Sequence, residues 1–590
     1  MTIGYIGLGA MGSALARQLL AHHPLQVCDL NQQAVATLAA QGAHAVPSLT
    51  ELAQECSVIL LCLPRSANVE QVLFGPGGLY PHLREGTLII DQTSGIPAQT
   101  RAFADRLRAR GCSLVDAPVA GGVPAAQAGT ITIMLAGQAA DCARALPVLQ
   151  MISPRVYHCS ERVGDGQALK LVNNIINAGY RISTLELVAL GRKLGVPLVV
   201  LSEALNTSWA QNFTSRHLLT ALLEGRPSSD FALQLMIKDL NQALSLGLEV
   251  EAAMPMGSLA RSVMQMALSL LSEQACLDDL VGFSESLAGV RLVDGLAAVQ
   301  GEAPEGRWAM NGVGIVGRQF ASGAFVRRLL AEQTVQVCDL PDEWMQAFAR
   351  DGAKPVTCLS TLFADNPVVI ACGLDSEQLL AQLPMHGAAV KGEPRLLIDF
   401  TARPPAHWPP LAAALRLRGI VLCEACLPQQ AAARADSLLY ATEAAQSARV
   451  RHVLSVFRQP LIDCGEVGQA GVVRLVINAV GLCNRLVVNE SVAVGRRLGL
   501  AEPVMATVIN QGSAWSRECQ RLLEPAVSPA SDATLQQALC DLQALVGLGL
   551  ASATPMTLLG CALQRYRSAA DLHGIHASQD CLGIPQRTQD

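Results

Sequence analysis

The feature that most constrains this chain is that it is written twice. The segment IGYIGLGAMGSALARQLL from Ile3 returns as VGIVGRQFASGAFVRRLL from Val313, and both run on to QVCDL, at Gln26 and Gln336. Further matches keep the order: Asp91 with Asp399, Lys170 in KLVNN with Arg474 in RLVIN, Glu186 with Glu490, Gly191 in GRKLG with Gly495 in GRRLG, and Pro255 with Pro555. The offset falls from 310 to 300 along the chain, as small loop deletions in the second copy produce. A period this long marks duplicated domains and not a solenoid of short repeats. Between the copies DGLAAVQGEAPEGR, from Asp294, reads as a linker.

Within each copy the first part alternates short apolar runs with helical periods. Val58–Leu63, Thr87–Ile90 and Ser113–Val115 read as strands of a doubly wound α/β sheet. The remainder has helical periodicity only. Gly166–Leu194 carries two internal glycines, Gly179 and Gly191, no proline, and a stop at Gly195 and Pro197, so it predicts one helix roughly 40 Å long, enough to join two domains. The expected organisation is therefore an α/β domain over 1–163, a helical domain over 164–293, a linker over 294–309, a second α/β domain over 310–466 and a second helical domain over 467–590.

Composition narrows the function classes. Of 590 residues, 51% are hydrophobic and 16% charged, which excludes intrinsic disorder. The net charge of −6 comes without long runs of either sign, so neither nucleic acid nor an acidic membrane surface is an expected partner. No unbroken apolar stretch long enough to span a bilayer is evident; Val546–Leu563 is interrupted by Gly, Ser, Thr and Pro. The N-terminus reads as a strand by Ile6, not as a leader, and the expectation is a soluble, cytoplasmic chain. The eighteen cysteines stand mostly alone in apolar segments, as small buried hydrophobes do. The one CxxC, Cys423 to Cys426, and the pair His573 and His576 lack further ligands at metal spacing, so no metal site is expected.

Gly7-Leu8-Gly9-Ala10-Met11-Gly12 follows a strand-like run and opens an amphipathic helix. Such glycines permit a tight turn and close backbone approach to a pyrophosphate at the helix N-terminus. Asp29 ends the next strand about twenty residues on, where a carboxylate accepts from a ribose 2′-hydroxyl and repels a 2′-phosphate; NAD is favoured over NADP. Further along, Lys170, Asn174, Asn177 and Arg181 make a polar stripe on a largely apolar helix. The plain alternative is a face turned to water. A buried lysine there could exchange the hydroxyl proton of an alcohol being oxidised, or stabilise a developing alkoxide.

With the motifs GLGAMG at Gly7, CLP at Cys62, DQTSGIP at Asp91, DAPVAGG at Asp116, GDGQALKLVNN at Gly164 and FALQLMIKDL at Phe231, the first copy resembles the 3-hydroxyisobutyrate dehydrogenase, or β-hydroxyacid dehydrogenase, family. The resemblance covers nearly all of 1–295 and, more weakly, 310–580. It implies a Rossmann domain plus an all-helical domain, present twice in tandem. It places Leu63, Pro64, Asn68 and Ser94 beside the cofactor, with Lys238 reaching it from the helical domain. Gly121 and Gly122 would offer N–H groups to the substrate carboxylate, Lys170 would be the acid/base, and Asn174 would hold the substrate. The family serine that touches substrate is Ala120 here, so a hydroxyl contact is lost. The implied function is NAD-dependent interconversion of a small 3-hydroxy carboxylate and its semialdehyde or keto acid. The alternatives are a non-catalytic NAD-responsive binding protein and a decarboxylating enzyme like 6-phosphogluconate dehydrogenase.

The second copy reads as disarmed. Gly9 becomes Gln319, Gly12 becomes Ser322, DAPVAGG becomes EACLPQQ with Pro428, Gln429 and Gln430, Lys170 becomes Arg474 and Lys238 becomes Cys540, while Asp339, Asn478 and Glu490 remain. An arginine is effectively always protonated and exchanges no proton. This half is expected to keep its fold and stand in for the second subunit of a dimer, an intrachain pseudo-dimer that is also compatible with a homo-oligomer.

Overall fold

Continuous four-residue apolar runs, too short for helices and fully buried, form the central parallel strands of two sheets. The computed structural model describes residues 2–293, 312–317, 323–383, 394–426, 437–524 and 533–582. The linker expected over 294–309 lies outside the described residues, as do Gln319, Ser322, Pro428, Gln429 and Gln430.

The first sheet contains β1 (Ile3–Ile6), β2 (Leu25–Cys28), β3 (His44–Ala45), β4 (Val58–Leu61), β5 (Leu88–Asp91), β6 (Ser113–Asp116), β7 (Val119–Ala120), β8 (Thr132–Ala136) and β9 (Val156–Ser160). Its order is β3-β2-β1-β4-β5-β6-β8-β7, with β9 paired to β8. β1 to β6 pair in parallel, and the chain changes direction across the sheet between β1 and β4, where the crevice of a doubly wound fold lies. The second sheet, β10 (Val313–Val316), β11 (Val335–Cys338), β12 (Lys354–Pro355), β13 (Val368–Ala371), β14 (Arg395–Asp399), β15 (Ile420–Cys426), β16 (Leu438–Ala441) and β17 (Leu461–Asp463), repeats the order β12-β11-β10-β13-β14-β15-β16-β17. The strands expected from sequence are present, with C-terminal ends shifted by up to two residues. Cys423 and Cys426 both lie in β15, three residues apart and so on opposite faces of the strand, as free thiols.

The long helix runs Asp165–Lys193, one residue earlier at each end than its sequence pattern indicated, and Gly195 leaves it at φ +93°. Its mate in the second half is Gln469–Arg497. That mate corrects one expectation: it is long and apolar enough to cross a membrane by length and composition, but is almost wholly buried inside the protein. The two long helices pack on each other, and one large core cluster spans both helical domains. The approach is close. A Cβ at Gly179 would stand 2.6 Å from Val487 Cγ1, and one at Gly481 would overlap the indole of Trp209.

Reciprocal contacts join the two halves. Phe213 N–H donates to the Trp515 carbonyl at 2.9 Å, and Arg517 N–H donates to the Gln211 carbonyl at 3.0 Å. Glu186 accepts the N–H groups of Thr557, Leu558 and Leu559 at the start of helix Thr557–His573, at 2.7–3.1 Å. Glu490 accepts those of Met256 and Gly257 in the first turn of helix Pro255–Leu270, at 2.9 and 3.3 Å. Each half thus caps a helix of the other. This explains why both glutamates persist in an otherwise altered repeat.

Candidate active site

The glycine turn is shaped by backbone crowding. Gly7 has φ +97°, and a Cβ there would overlap the Cys62 carbonyl; a Cβ at Gly12 would overlap the carbonyl of Gly7. A Cβ at Gly9 would meet nothing within 4 Å. Two glycines therefore close the turn against the sheet, while the third leaves an open approach to the N-terminus of helix Ala10–Leu20, which no side chain caps. Leu8 is buried, Ala10 is exposed at the helix tip, and Met11 packs against the sheet core. That is the cradle a pyrophosphate needs. Asp29 accepts from Leu8 N–H at 2.5 Å and Asn31 N–H at 2.6 Å, one on each carboxylate oxygen. Each oxygen retains a lone pair for a ribose hydroxyl. Leu30 beside it is fully exposed.

Across the crevice, Leu63 N–H donates to Thr93 Oγ1 at 3.1 Å, which ties the loop after β4 to the loop after β5. Asn68 is exposed on helix Ser66–Phe74. Lys238, on helix Leu233–Glu249 of the helical domain, donates to the carbonyls of Ser94 at 2.7 Å and Pro64 at 3.1 Å. It therefore bridges the two domains at the loops assigned to the cofactor. A cleft of about 520 Å³ lies beside it, lined by Arg65, Ser66, Ile96, Gln234, Lys238 and Asn241.

The entry to the long helix is set by a residue whose role sequence reasoning missed. Asp116, buried at the end of β6, accepts from Gly164 N–H at 2.5 Å and Gln167 N–H at 2.8 Å. Burial pushes its carboxyl up to about 8 against the pull of those N–H groups. Gln167 in turn donates to the Thr93 carbonyl at 3.0 Å and to Asp91 at 3.2 Å. The second half keeps the device: Glu424 accepts from Gly468 and Gly471 N–H, both at 2.7 Å. The acid heading both DAPVAGG and EACLPQQ was the available signal. Ala120 is buried in the core cluster that includes Ala168 and Leu171. Gly121 (φ +134°) and Gly122 (φ +76°) open the short helix Gly122–Gln127.

One turn into the long helix Lys170 is buried. Among the described residues no acceptor lies within hydrogen-bond reach of its ammonium. Burial, opposed by Asp239 and aided by Lys238, lowers its pKa to about 8. Asn174 Nδ2 donates to Asp239 Oδ2 at 2.7 Å, and Asp239 Oδ1 pairs with Lys238 at 3.0 Å. Asp239 was also missed; its trace was the aspartate shared by KDL and CDL where the lysine is lost. The stripe does not face water, since Lys170, Asn174, Asn177 and Arg181 are all buried. Nor does it serve one site: Arg181 bonds the Leu277 carbonyl and Asp278, and Asn177 donates to the Ser513 carbonyl at 2.8 Å. Trp209 and Asn212 of the first half reach Asn478 and Asn484 of the second.

In the second half the same positions form a closed pair of bonds. Arg474 donates to Asp541 Oδ1 at 2.8 Å, and Asn478 to Asp541 Oδ2 at 2.7 Å. Where Lys170 lacks an acceptor, Arg474 has one, and Asp541 holds its pKa above the ordinary arginine value despite burial. Among the described residues no group of three or more His, Cys, Asp or Glu side chains is placed to hold a metal ion.

A lysine at about 8 gives a signed pH dependence. With Lys170 as the proton-exchanging group, alcohol oxidation is expected to rise with pH and level off above about 8, and carbonyl reduction to fall through the same range. The folded state also holds this lysine less protonated than the unfolded chain does, so its contribution to stability increases with pH from about 8 to the free-lysine value of 10.5. A pH–rate profile in both directions checks the first statement, and a flat profile contradicts it.

In the first half the fold and turn define an NAD-binding Rossmann domain joined to a helical domain, and the second half repeats the α/β-plus-helical architecture. Comparison with known proteins agrees. Residues 2–160 match the family described as the NAD binding domain of 6-phosphogluconate dehydrogenase, and residues 164–281 match that described as NAD-binding of NADP-dependent 3-hydroxyisobutyrate dehydrogenase. The chain is 35% identical over 286 residues to a 3-hydroxyisobutyrate dehydrogenase of Pseudomonas aeruginosa, covering 47% of this chain and 95% of that one. It is 32% identical over 295 residues to the 2-(hydroxymethyl)glutarate dehydrogenase of Eubacterium barkeri (50% and 98%). It is 35% identical over 274 residues to an NAD-dependent L-serine dehydrogenase of Pseudomonas aeruginosa (45% and 92%). The chain belongs to the 3-hydroxyisobutyrate dehydrogenase family, as a hydroxy-acid dehydrogenase with two copies of the family's fold.

Proposed function

We propose that the first half is the working enzyme, an NAD-dependent dehydrogenase that interconverts a small 3-hydroxy carboxylate and its semialdehyde or keto acid, and that the second half is catalytically inactive. The observation that carries this reading is the buried, acceptor-free Lys170 next to Asn174 and Asp239, in contrast to the neutralised Arg474. Bound NAD would supply the two-electron acceptor. Lys170 takes the hydroxyl proton in the oxidative direction and returns it in the reductive one. Asn174, held by Asp239, presents its amide to the substrate, and the Gly121–Gly122 backbone offers N–H groups to the carboxylate. Lys238 holds the helical domain against the cofactor loops and keeps water out. Asp29, followed by Leu30, Asn31, Gln32 and Gln33 with no cation to receive a 2′-phosphate, supports NAD over NADP. The second half stands in for a partner subunit, as the reciprocal helix caps suggest.

The test is formation of reduced nicotinamide with 3-hydroxyisobutyrate, glycerate, threonate, 3-hydroxypropionate, L-serine and 2-(hydroxymethyl)glutarate, each with NAD and with NADP. Turnover of at least one acid, faster with NAD, is the expected result. NADH binding with silence across the panel would sink the reading in favour of a sensor.

A further inference from the structure

The reciprocal backbone bonds at Phe213/Trp515 and Arg517/Gln211 set the local correspondence between the halves at an offset of 304. At that offset Lys170 matches Arg474, Asn174 matches Asn478, Asn173 matches Ile477, Asn177 matches Gly481, and Trp209 matches Ser513. The last pair lies on the loops that cross between halves, and each member enters the other half's site. Ser513 Oγ accepts from Asn173 Nδ2 at 3.0 Å, and the Ser513 carbonyl accepts from Asn177 Nδ2 at 2.8 Å. Asn173 Nδ2 also donates to Asn174 Oδ1 at 3.3 Å. The result is a chain of polar contacts from the second half, through Asn173, Asn174 and Asp239, to Lys238 and the cofactor loops. The Oδ1 atoms of Asn173 and Asn177 are buried without a protein donor. On the other side everything is exchanged. The indole of Trp209 occupies the volume a side chain at Gly481 would need, and its Nε1 donates to Asn478 Oδ1 at 3.4 Å. Small and polar in one site is matched by large and apolar in the other.

We propose that Ser513 is a positioning residue of the first half's active centre, supplied by the second half, and that Trp209 plugs the equivalent space in the second half. One chain thereby holds one complete substrate site, and neither half builds it alone. The proposal deepens the functional reading above and rests on Lys170 and Asn174 being the substrate-handling pair.

In the full-length chain, Ser513→Ala is expected to raise KM for the hydroxy acid by about tenfold, as loss of one hydrogen bond to the positioning asparagine predicts, with KM for NAD unchanged and Ser513→Thr restoring most of it. The double variant Asn177→Gly/Ser513→Trp copies into the first site the arrangement already packed in the second. It should fold, bind NADH and turn over no acid. Wild-type kinetics from Ser513→Ala, or turnover by the double variant, would overturn the proposal. If the wild-type chain oxidises no hydroxy acid, the functional reading fails separately. The positioning contact is then read from melting temperatures of Asn173→Ala, Ser513→Ala and their combination. A combined shift smaller than the sum supports it, and strictly additive shifts overturn it.

Discussion

Lys170→Ala is expected to remove turnover in both directions, by about 10³-fold or more in kcat, because it deletes the group proposed to exchange the substrate proton. The same substitution should not harm the fold, since it relieves the burial of a cation that has no hydrogen-bonded acceptor. Arg474→Ala should behave in the opposite way. It leaves Asp541 buried without its counter-ion, a loss on the order of 3–5 kcal/mol for breaking a buried pair, so the melting temperature falls. The kcat of the folded chain stays as it was. Steady-state rates and thermal melts on both variants therefore separate catalysis from structure. Substantial turnover by Lys170→Ala, or loss of kcat in folded Arg474→Ala, would mean that the proton-exchanging group lies elsewhere.

The second large effect is expected from dividing the chain. Residues 1–293 expressed alone should be aggregated or poorly folded, and inactive, and co-expression with residues 310–590 should restore turnover. The long helix Asp165–Lys193 is buried on nearly every side, partly by the other half: Val487 packs on Gly179 and Val476 on Gly191. Each aliphatic side chain bared in this way costs about 2 kcal/mol, so a few such losses match the whole stability of a typical domain. The helix at Pro255 would also lose its Glu490 cap. Two first halves cannot repair this by pairing with each other. Trp209 of one would meet Asn177 of the other, where the native partner has Gly481 with no room even for a Cβ. A monodisperse, fully active fragment would refute the account of the second half as a required partner.

Much of the fold is legible in the sequence because it is encoded locally. The glycines at 7, 9 and 12, the buried apolar runs and the long uninterrupted helical period each depend on neighbours a few residues away, and the repeat doubles every such signal. The helix boundaries at Gly164 and Gly195 are of this kind: both take positive φ, which a glycine adopts without strain. The site was legible only where one element carries it. Lys170 and Asn174 stand out as polar residues on an apolar helix, and Lys238 through its motif. Asp116, Asp239 and Ser513 did not stand out, since an acid after a strand or a serine in a turn is ordinary until its partner is known.

The polar stripe shows where the boundary falls. Periodicity determines that Lys170, Asn174, Asn177 and Arg181 share a helix face, because 3.6 residues per turn is a property of the backbone. It does not determine whether that face meets water, substrate or another domain, because that depends on contacts between residues hundreds of positions apart. By itself, then, the sequence determined two Rossmann-plus-helical units, one with an intact dinucleotide turn and an exchangeable lysine. Only the tertiary structure decided how the units interlock, that Glu186 and Glu490 each cap a helix of the opposite half, and that Ser513 and Trp209 cross to opposite sites. A duplicated sequence constrains each copy by itself, while the interface is selected by shape: an indole fits where the facing residue is glycine, and not where it is asparagine.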